Sequence, residues 1–212
     1  MSATNFNRKE ELANILTHGI GVLFGIVAIP FLISQATIHT TFLNTVGVAI
    51  YGFSFLLVYA TSTAYHATFD MPYRRVLRII DHISIYILIA GSYTPLILLF
   101  SESDRGMYLL ITLWILTLFG TVFKVFYTGR LEYLSVIIYL LMGWSVLIMP
   151  TEFYDNIPSL CFKLLFGGGI VYTFGVIFYL WDSLKYNHAI WHIFVLVGGI
   201  CHFVAIGCAV IK

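Results

Sequence analysis

Charge is what this sequence has least of. Only 10% of its 212 residues are Asp, Glu, Lys or Arg, against about 25% in an ordinary soluble domain. The charges cluster and leave uncharged runs of roughly twenty residues, the length at which an α-helix matches the hydrocarbon thickness of a bilayer. With 11 basic and 10 acidic side chains the formal net charge is +1, which excludes nucleic acid as a partner. Cysteine is scarce as well. Cys161, Cys201 and Cys208 lie in apolar context without paired spacing, so no disulfide framework is implied. The alternation of polar and apolar positions that marks a β-barrel strand is missing. No cleavage signature follows the first apolar run, which reads as a retained helix rather than a signal peptide. No linker or low-complexity segment divides the chain, so residues 1–212 form a single domain.

What fills the sequence is apolar, 60% of it. Seven spans are expected: about Leu12 to Gln35, Phe42 to His66, Val76 to Phe100, Met107 to Tyr127, Leu131 to Met149, Leu160 to Trp181 and His188 to Ile211. With short connections they predict an all-α, integral membrane bundle of seven transmembrane helices. Lys and Arg set its orientation. Arg8, Lys9, Arg74, Arg75, Arg78, Lys124, Arg130 and Lys185 fall on one side, and Arg105, Lys163 and Lys212 on the other. The N-terminus is therefore expected to be cytoplasmic and the C-terminus outside. Glycines at 47, 52, 91, 143, 167, 168, 169, 198 and 199 read as close helix contacts. Pro30 and Pro95 are expected to kink or end their helices. Trp181 and Trp191 read as interfacial anchors.

Against this background a few polar residues stand out. His188 and His192 are four apart at the start of the last span, on one helical face. His66 closes the second span with Ser62 one turn deeper, and Asp81 lies one to two turns into the third. The topology places all of them, and His18 of the first span, in one leaflet. Imidazole in a bilayer is costly unless compensated, and a shared zinc ion compensates it. Three histidines and a water would complete a catalytic-type site, with Asp81 to accept or orient a proton and Ser62 to hydrogen-bond the water or an oxyanion. Bland alternatives exist for each: a salt bridge of Asp81 with Arg78 or Arg75, a bond from Ser62 to its own i−4 carbonyl, and packing roles for His18, His82 and His202.

Ser62-x-x-x-His66, Asp81 and His188-x-x-x-His192 together resemble the signature of the progestin and adiponectin receptor family, grouped with alkaline ceramidases among membrane hydrolases. Glu11, Asn14, Thr17 and His18, and Gly91-Ser92-Tyr93-Thr94-Pro95, resemble its bacterial branch, the haemolysin III proteins. The resemblance implies zinc held by His66, His188 and His192, with Asp81 and Ser62 beside the water on it. It also implies a multi-pass protein of the bacterial inner membrane. The expected function is hydrolysis of a lipid amide or ester, with a membrane lipid as substrate or ligand. The alternatives are a membrane-lytic haemolysin, for which no span offers a continuous polar stripe, and a receptor-like sensor with a structural zinc.

Overall fold

Apolar runs bounded by caps become helices here, and the computed structural model, which describes residues 7–211, contains no strand among them. Lys212, part of the outer charge count, and the first six residues lie outside the described residues. Six helices are long and apolar enough to cross a membrane: α1 (Arg8–His39), α2 (Phe42–Ala67), α3 (Met71–Phe100), α4 (Asp104–Tyr127), α7 (Ser159–Tyr179) and α8 (Asn187–Val210). The start signals are local. The Asn7 side chain accepts from Lys9 N–H, the Thr41 hydroxyl accepts from Asn44 N–H, and a proline opens α3.

The expected fifth span takes another form. It is a short helix, α5 (Glu132–Gly143), continued by a 3-10 turn over Trp144–Ile148. A further short helix, α6 (Thr151–Asn156), follows Pro150. The change of helix type has a visible partner. The Tyr93 hydroxyl donates to the Gly143 carbonyl at 2.6 Å and accepts from the Val146 N–H at 2.7 Å. One phenol thus serves two backbone groups at the junction, where the α-helical ladder changes register.

The window of highest hydropathy in α3 is 67% buried, against 22–44% in the other long helices. It is the central helix, touching α2, α4, α5, α6 and α8, while α1 joins α2 to α8. Outward faces are greasy: Leu118, Phe119 and Phe126 of α4 are each more than 60% exposed. A soluble monomer rarely shows so much contiguous apolar surface, whereas lipid tails match it.

Small residues bring the helices together. A Cβ on Gly168 would sit 2.6 Å from His202 Cδ2, and one on Gly199 would sit 2.5 Å from the Tyr59 hydroxyl. Gly143 and Gly167, also expected at helix contacts, instead face open space. Pro30 and Pro95 lie inside continuous helices and end neither. Trp181 is half exposed, as an interfacial anchor would be. Trp191 turns inward, stacking with Tyr179 at 5.6 Å and lining the central cavity.

That cavity runs between α2, α3, α5, α7 and α8. Its volume is about 170 Å³, and along α3 it is lined from Asp81 to Leu96. Fifteen residues of helix span roughly 22 Å. A cavity of that length is an elongated tunnel, walled by residues such as Val58, Ile85, Leu88, Ile89 and Leu165.

Candidate metal centre

The polar residues gather at one end of this tunnel, where α1, α3 and α8 begin and α2 ends. α8 starts abruptly. Tyr186 holds a left-handed backbone (φ 60°) just before it, a conformation uncommon for a residue with a side chain. His188 is thereby placed in the first turn of α8 and His192 in the second. Their ring centroids are 4.5 Å apart, and the His66 ring lies 5.1 Å from each. One nitrogen from each of the three lies within 4.8 Å of the others.

Hydrogen bonds decide which nitrogens are presented. His66 Nδ1 is 2.7 Å from Glu11 Oε2. A carboxylate can only accept, so Nδ1 carries the proton and Nε2 carries a lone pair. That Nε2 is buried and has no hydrogen-bond partner. The Thr17 hydroxyl spends its single proton on the Ala13 or Asn14 carbonyl and lies 3.3 Å from His192 Nδ1. It can therefore only accept from that nitrogen, which again leaves Nε2 unprotonated. A carboxylate or hydroxyl behind the imidazole is the usual support of a metal-bound histidine. Tetrahedral zinc wants nitrogens about 2.0–2.1 Å away, hence about 3.4 Å from one another. Small side-chain rotations close the set, and three imidazoles are a donor set that zinc accepts. The residues present fit the ion.

Glu11 is itself held. Its other oxygen accepts from Arg74 Nη2 at 2.6 Å, and Arg74 Nη1 donates to the Thr68 carbonyl at 2.8 Å. The guanidinium lies 4.5 Å from the centre of the Tyr65 ring. A buried charge needs such satisfaction on every side. Asn14 Nδ2 lies 3.2 Å from His66 Nδ1, but that nitrogen keeps its proton for Glu11 and accepts nothing, so the amide is a packing neighbour there.

Ser62 and Asp81 line the tunnel beside His188 and His192. The Ser62 hydroxyl is buried without a hydrogen-bond partner, so the bond to its own i−4 carbonyl is not made. The salt-bridge alternative for Asp81 also fails. Arg78 lies 3.6 Å from Glu132, and the carboxylate of Asp81 is 3.4 Å from His82 Nδ1, which donates its proton to the Arg78 carbonyl at 2.8 Å. His82 also approaches Glu132 at 3.9 Å, and Glu132 accepts from the fully buried Lys124 at 2.6 Å. This second network ties α5 to α3 and α4. His202, deeper in the tunnel, donates from Nε2 to the Leu165 carbonyl at 3.2 Å, which fits the packing role expected of it.

The sequence reading missed the Arg74–Glu11–His66 relay. A signal was there: Glu11, Asn14 and His18 recur at spacings of three and four in an otherwise apolar helix, and all three are buried. Arg74 gave none, because a basic residue at a helix start reads as a topology marker. Replacing Glu11 by glutamine removes the charge behind His66. It is expected to lower zinc affinity by roughly 10–100-fold, measured by competition with a chelating dye. An unchanged affinity would show that the carboxylate does not support the ligand.

The family model described as Haemolysin-III related matches residues 6–203. The chain is similar to the Hemolysin-3 homolog of Bacillus subtilis (strain 168), 44% identical over 93% of each chain. It is 41% identical to Hemolysin-3 of Bacillus cereus, over 92% of this chain and 89% of that one. A more distant relative is the human monocyte to macrophage differentiation factor, 26% identical over 93% of this chain and 83% of that one. No solved structure gives a significant match.

Proposed function

The chain belongs to the haemolysin III-related family, and on that footing we propose that it is a zinc-dependent membrane hydrolase of a lipid amide or ester. One observation carries the reading: lone-pair nitrogens of His66 and His192 meet His188 at the polar end of an apolar tunnel, beside an unpartnered serine hydroxyl and a buried carboxylate. Bound there, zinc supplies Lewis acidity and an acidified water near neutral pH.

The protein's own residues do the rest. The tunnel holds the alkyl chain extended and keeps bulk water from it. The Ser62 hydroxyl, free of any backbone bond, donates to the oxygen of the carbonyl under attack. Asp81 accepts the proton of the attacking water and returns it to the leaving nitrogen or oxygen.

The same proposal includes seven spans in the bacterial inner membrane, with the N-terminus in the cytoplasm. Glu132 neighbours Arg78 near the start of α3, while Val146 bonds Tyr93 near its end. The α5 segment and its 3-10 turn therefore run beside α3 for most of its length, which supports counting them as a crossing. The Lys and Arg bias supports the orientation.

The protein reconstituted with a long-chain N-acyl amide should release fatty acid, detected by mass spectrometry. Chelation should stop the release and zinc should restore it. Turnover that persists in metal-free protein would overturn the reading. The name of the Bacillus cereus relative points instead to lysis, and leakage of dye-loaded liposomes that survives chelation would favour that.

A further inference from the structure

His202 sits in the tunnel well away from the three clustered histidines. It lies ten residues beyond His192 on α8, so about 15 Å further along the helix. His188, His192, Val195 and His202 all line the tunnel, as their spacing on one helical face allows. The bond to the Leu165 carbonyl satisfies only one of its nitrogens. A carbonyl only accepts, so Nε2 carries the proton and Nδ1 carries a lone pair. A Cβ on Gly168 would lie 2.6 Å from His202 Cδ2 and 2.8 Å from Nε2. That edge of the ring therefore faces α7, and Nδ1, the corner opposite it, points away from α7. Nδ1 has no hydrogen-bond partner among the described residues.

A second polar group lies beside it. Three phenols converge on Gly198 and Gly199 of α8. Tyr59 donates to the Val195 carbonyl at 3.0 Å, and Tyr51 donates to the Gly199 carbonyl at 3.5 Å. The third, Tyr172, lays its ring on Gly198 and brings its hydroxyl to 3.5 Å from the Cβ position of Gly199. Tyr172 lines the tunnel, and its hydroxyl has no hydrogen-bond partner among the described residues. Its ring meets that of His202 edge-on, with centroids 5.4 Å apart. Toward the histidine end the wall carries Ile85, Leu88, Val176 and Val195. Polar groups at membrane depth are costly without partners. Here an acceptor and a donor stand unpaired at one depth of an apolar tunnel.

We propose that His202 and Tyr172 form a second binding station, which recognises a hydroxyl group near the middle of an alkyl chain in the tunnel. A hydroxyl is both donor and acceptor. It can give its proton to His202 Nδ1 and accept from the Tyr172 hydroxyl, whereas a plain methylene chain pairs with neither. An extended chain of single bonds advances about 1.2 Å per bond. With its head at the three histidines, the chain reaches His202 after roughly twelve bonds. The ligand class is therefore a long acyl chain hydroxylated near carbon 12. His202 and Tyr172 are on this assignment specificity-determining residues for the chain and take no part in the chemistry at its head. The assignment rests on the reading that a chain lies in the tunnel with its head at the histidine end. It does not depend on whether that head is cleaved.

The test uses free hydroxyoctadecanoic acids, which carry no bond left to hydrolyse. Positional isomers share one composition, so the cost of moving the hydroxyl into the tunnel is nearly the same for each. Competition against a fluorescent fatty acid on zinc-loaded full-length protein compares the hydroxyl on carbon 12 with the hydroxyl on carbon 7, which falls in the apolar stretch. The 12-isomer is expected to bind about tenfold more tightly, the scale of one buried unpaired polar group. His202→Phe keeps a ring, and Tyr172→Phe removes only the hydroxyl. Each should shrink the preference, while zinc content and the affinity for plain octadecanoic acid stay unchanged. Equal affinities for the two isomers in the wild type, or a preference that survives both substitutions, would overturn the proposal. If His202→Phe fails to fold, the wild-type comparison and Tyr172→Phe decide. Isomer preference without hydrolysis of an N-acyl amide would sink the hydrolase reading alone. Hydrolysis without isomer preference would sink the second station alone.

Discussion

Protein purified with His192→Ala should contain no zinc and release no fatty acid. Among the three imidazoles, His192 is the least exposed. It is 2% exposed, its Nδ1 lies against Thr17, and its ring is stacked on His18. Removing it takes away a ligand and not merely an outer support. The loss of affinity should therefore exceed the roughly 10–100-fold that an outer partner is worth. It also leaves a space beneath His18 that alanine does not fill, so some loss of thermal stability is expected. Zinc content by mass spectrometry and helix content by circular dichroism separate the two effects. A folded His192→Ala protein with a full complement of zinc would show that this nitrogen is not a ligand.

Asp81→Asn is the second large effect, and it is opposite in kind. Asparagine keeps the shape but cannot take a proton. Zinc content should be unchanged, while amide hydrolysis falls by about 10²–10⁴-fold, the usual contribution of a positioned general base. The approach of His82 to this side chain at 3.4 Å is weakened at the same time. A measured melting temperature shows how much of the change is structural. If zinc serves only to clamp the ends of α2 and α8, the outcome differs: Asp81→Asn leaves function intact, and removing zinc from the wild type melts the bundle.

The cluster of three histidines was legible because membrane sequences make polar residues conspicuous. His66, His188 and His192 interrupt apolar runs, and a Lys and Arg count alone placed them in one layer. The structure brings them together. Six of the seven expected spans became long single helices: α2, α4, α7 and α8 keep their expected ends to within three residues, α3 starts five residues earlier, at Met71, and α1 extends four residues further at each end, to Arg8 and His39. The form of the fifth span was not legible, because hydropathy does not register helix type. Glu132 to Ile148 carries no charge after its first residue, and only the bonds of Tyr93 to Gly143 and Val146 mark the change to a 3-10 turn. Trp191 misled for a related reason, since an aromatic residue near a helix start looks the same whether it faces lipid or a neighbouring helix. The partners of charged residues were the least legible. Arg78 was placed near Asp81 by spacing along one helix, yet it turns to Glu132 on another. Contacts between helices distant in sequence leave no periodic trace.

Anomalous scattering recorded on both sides of the zinc absorption edge, from crystals of the purified protein, puts the account to its most direct test. It predicts one peak, enclosed by His66 Nε2 and the imidazoles of His188 and His192. A map with no peak there, or with its zinc bound elsewhere, would contradict it.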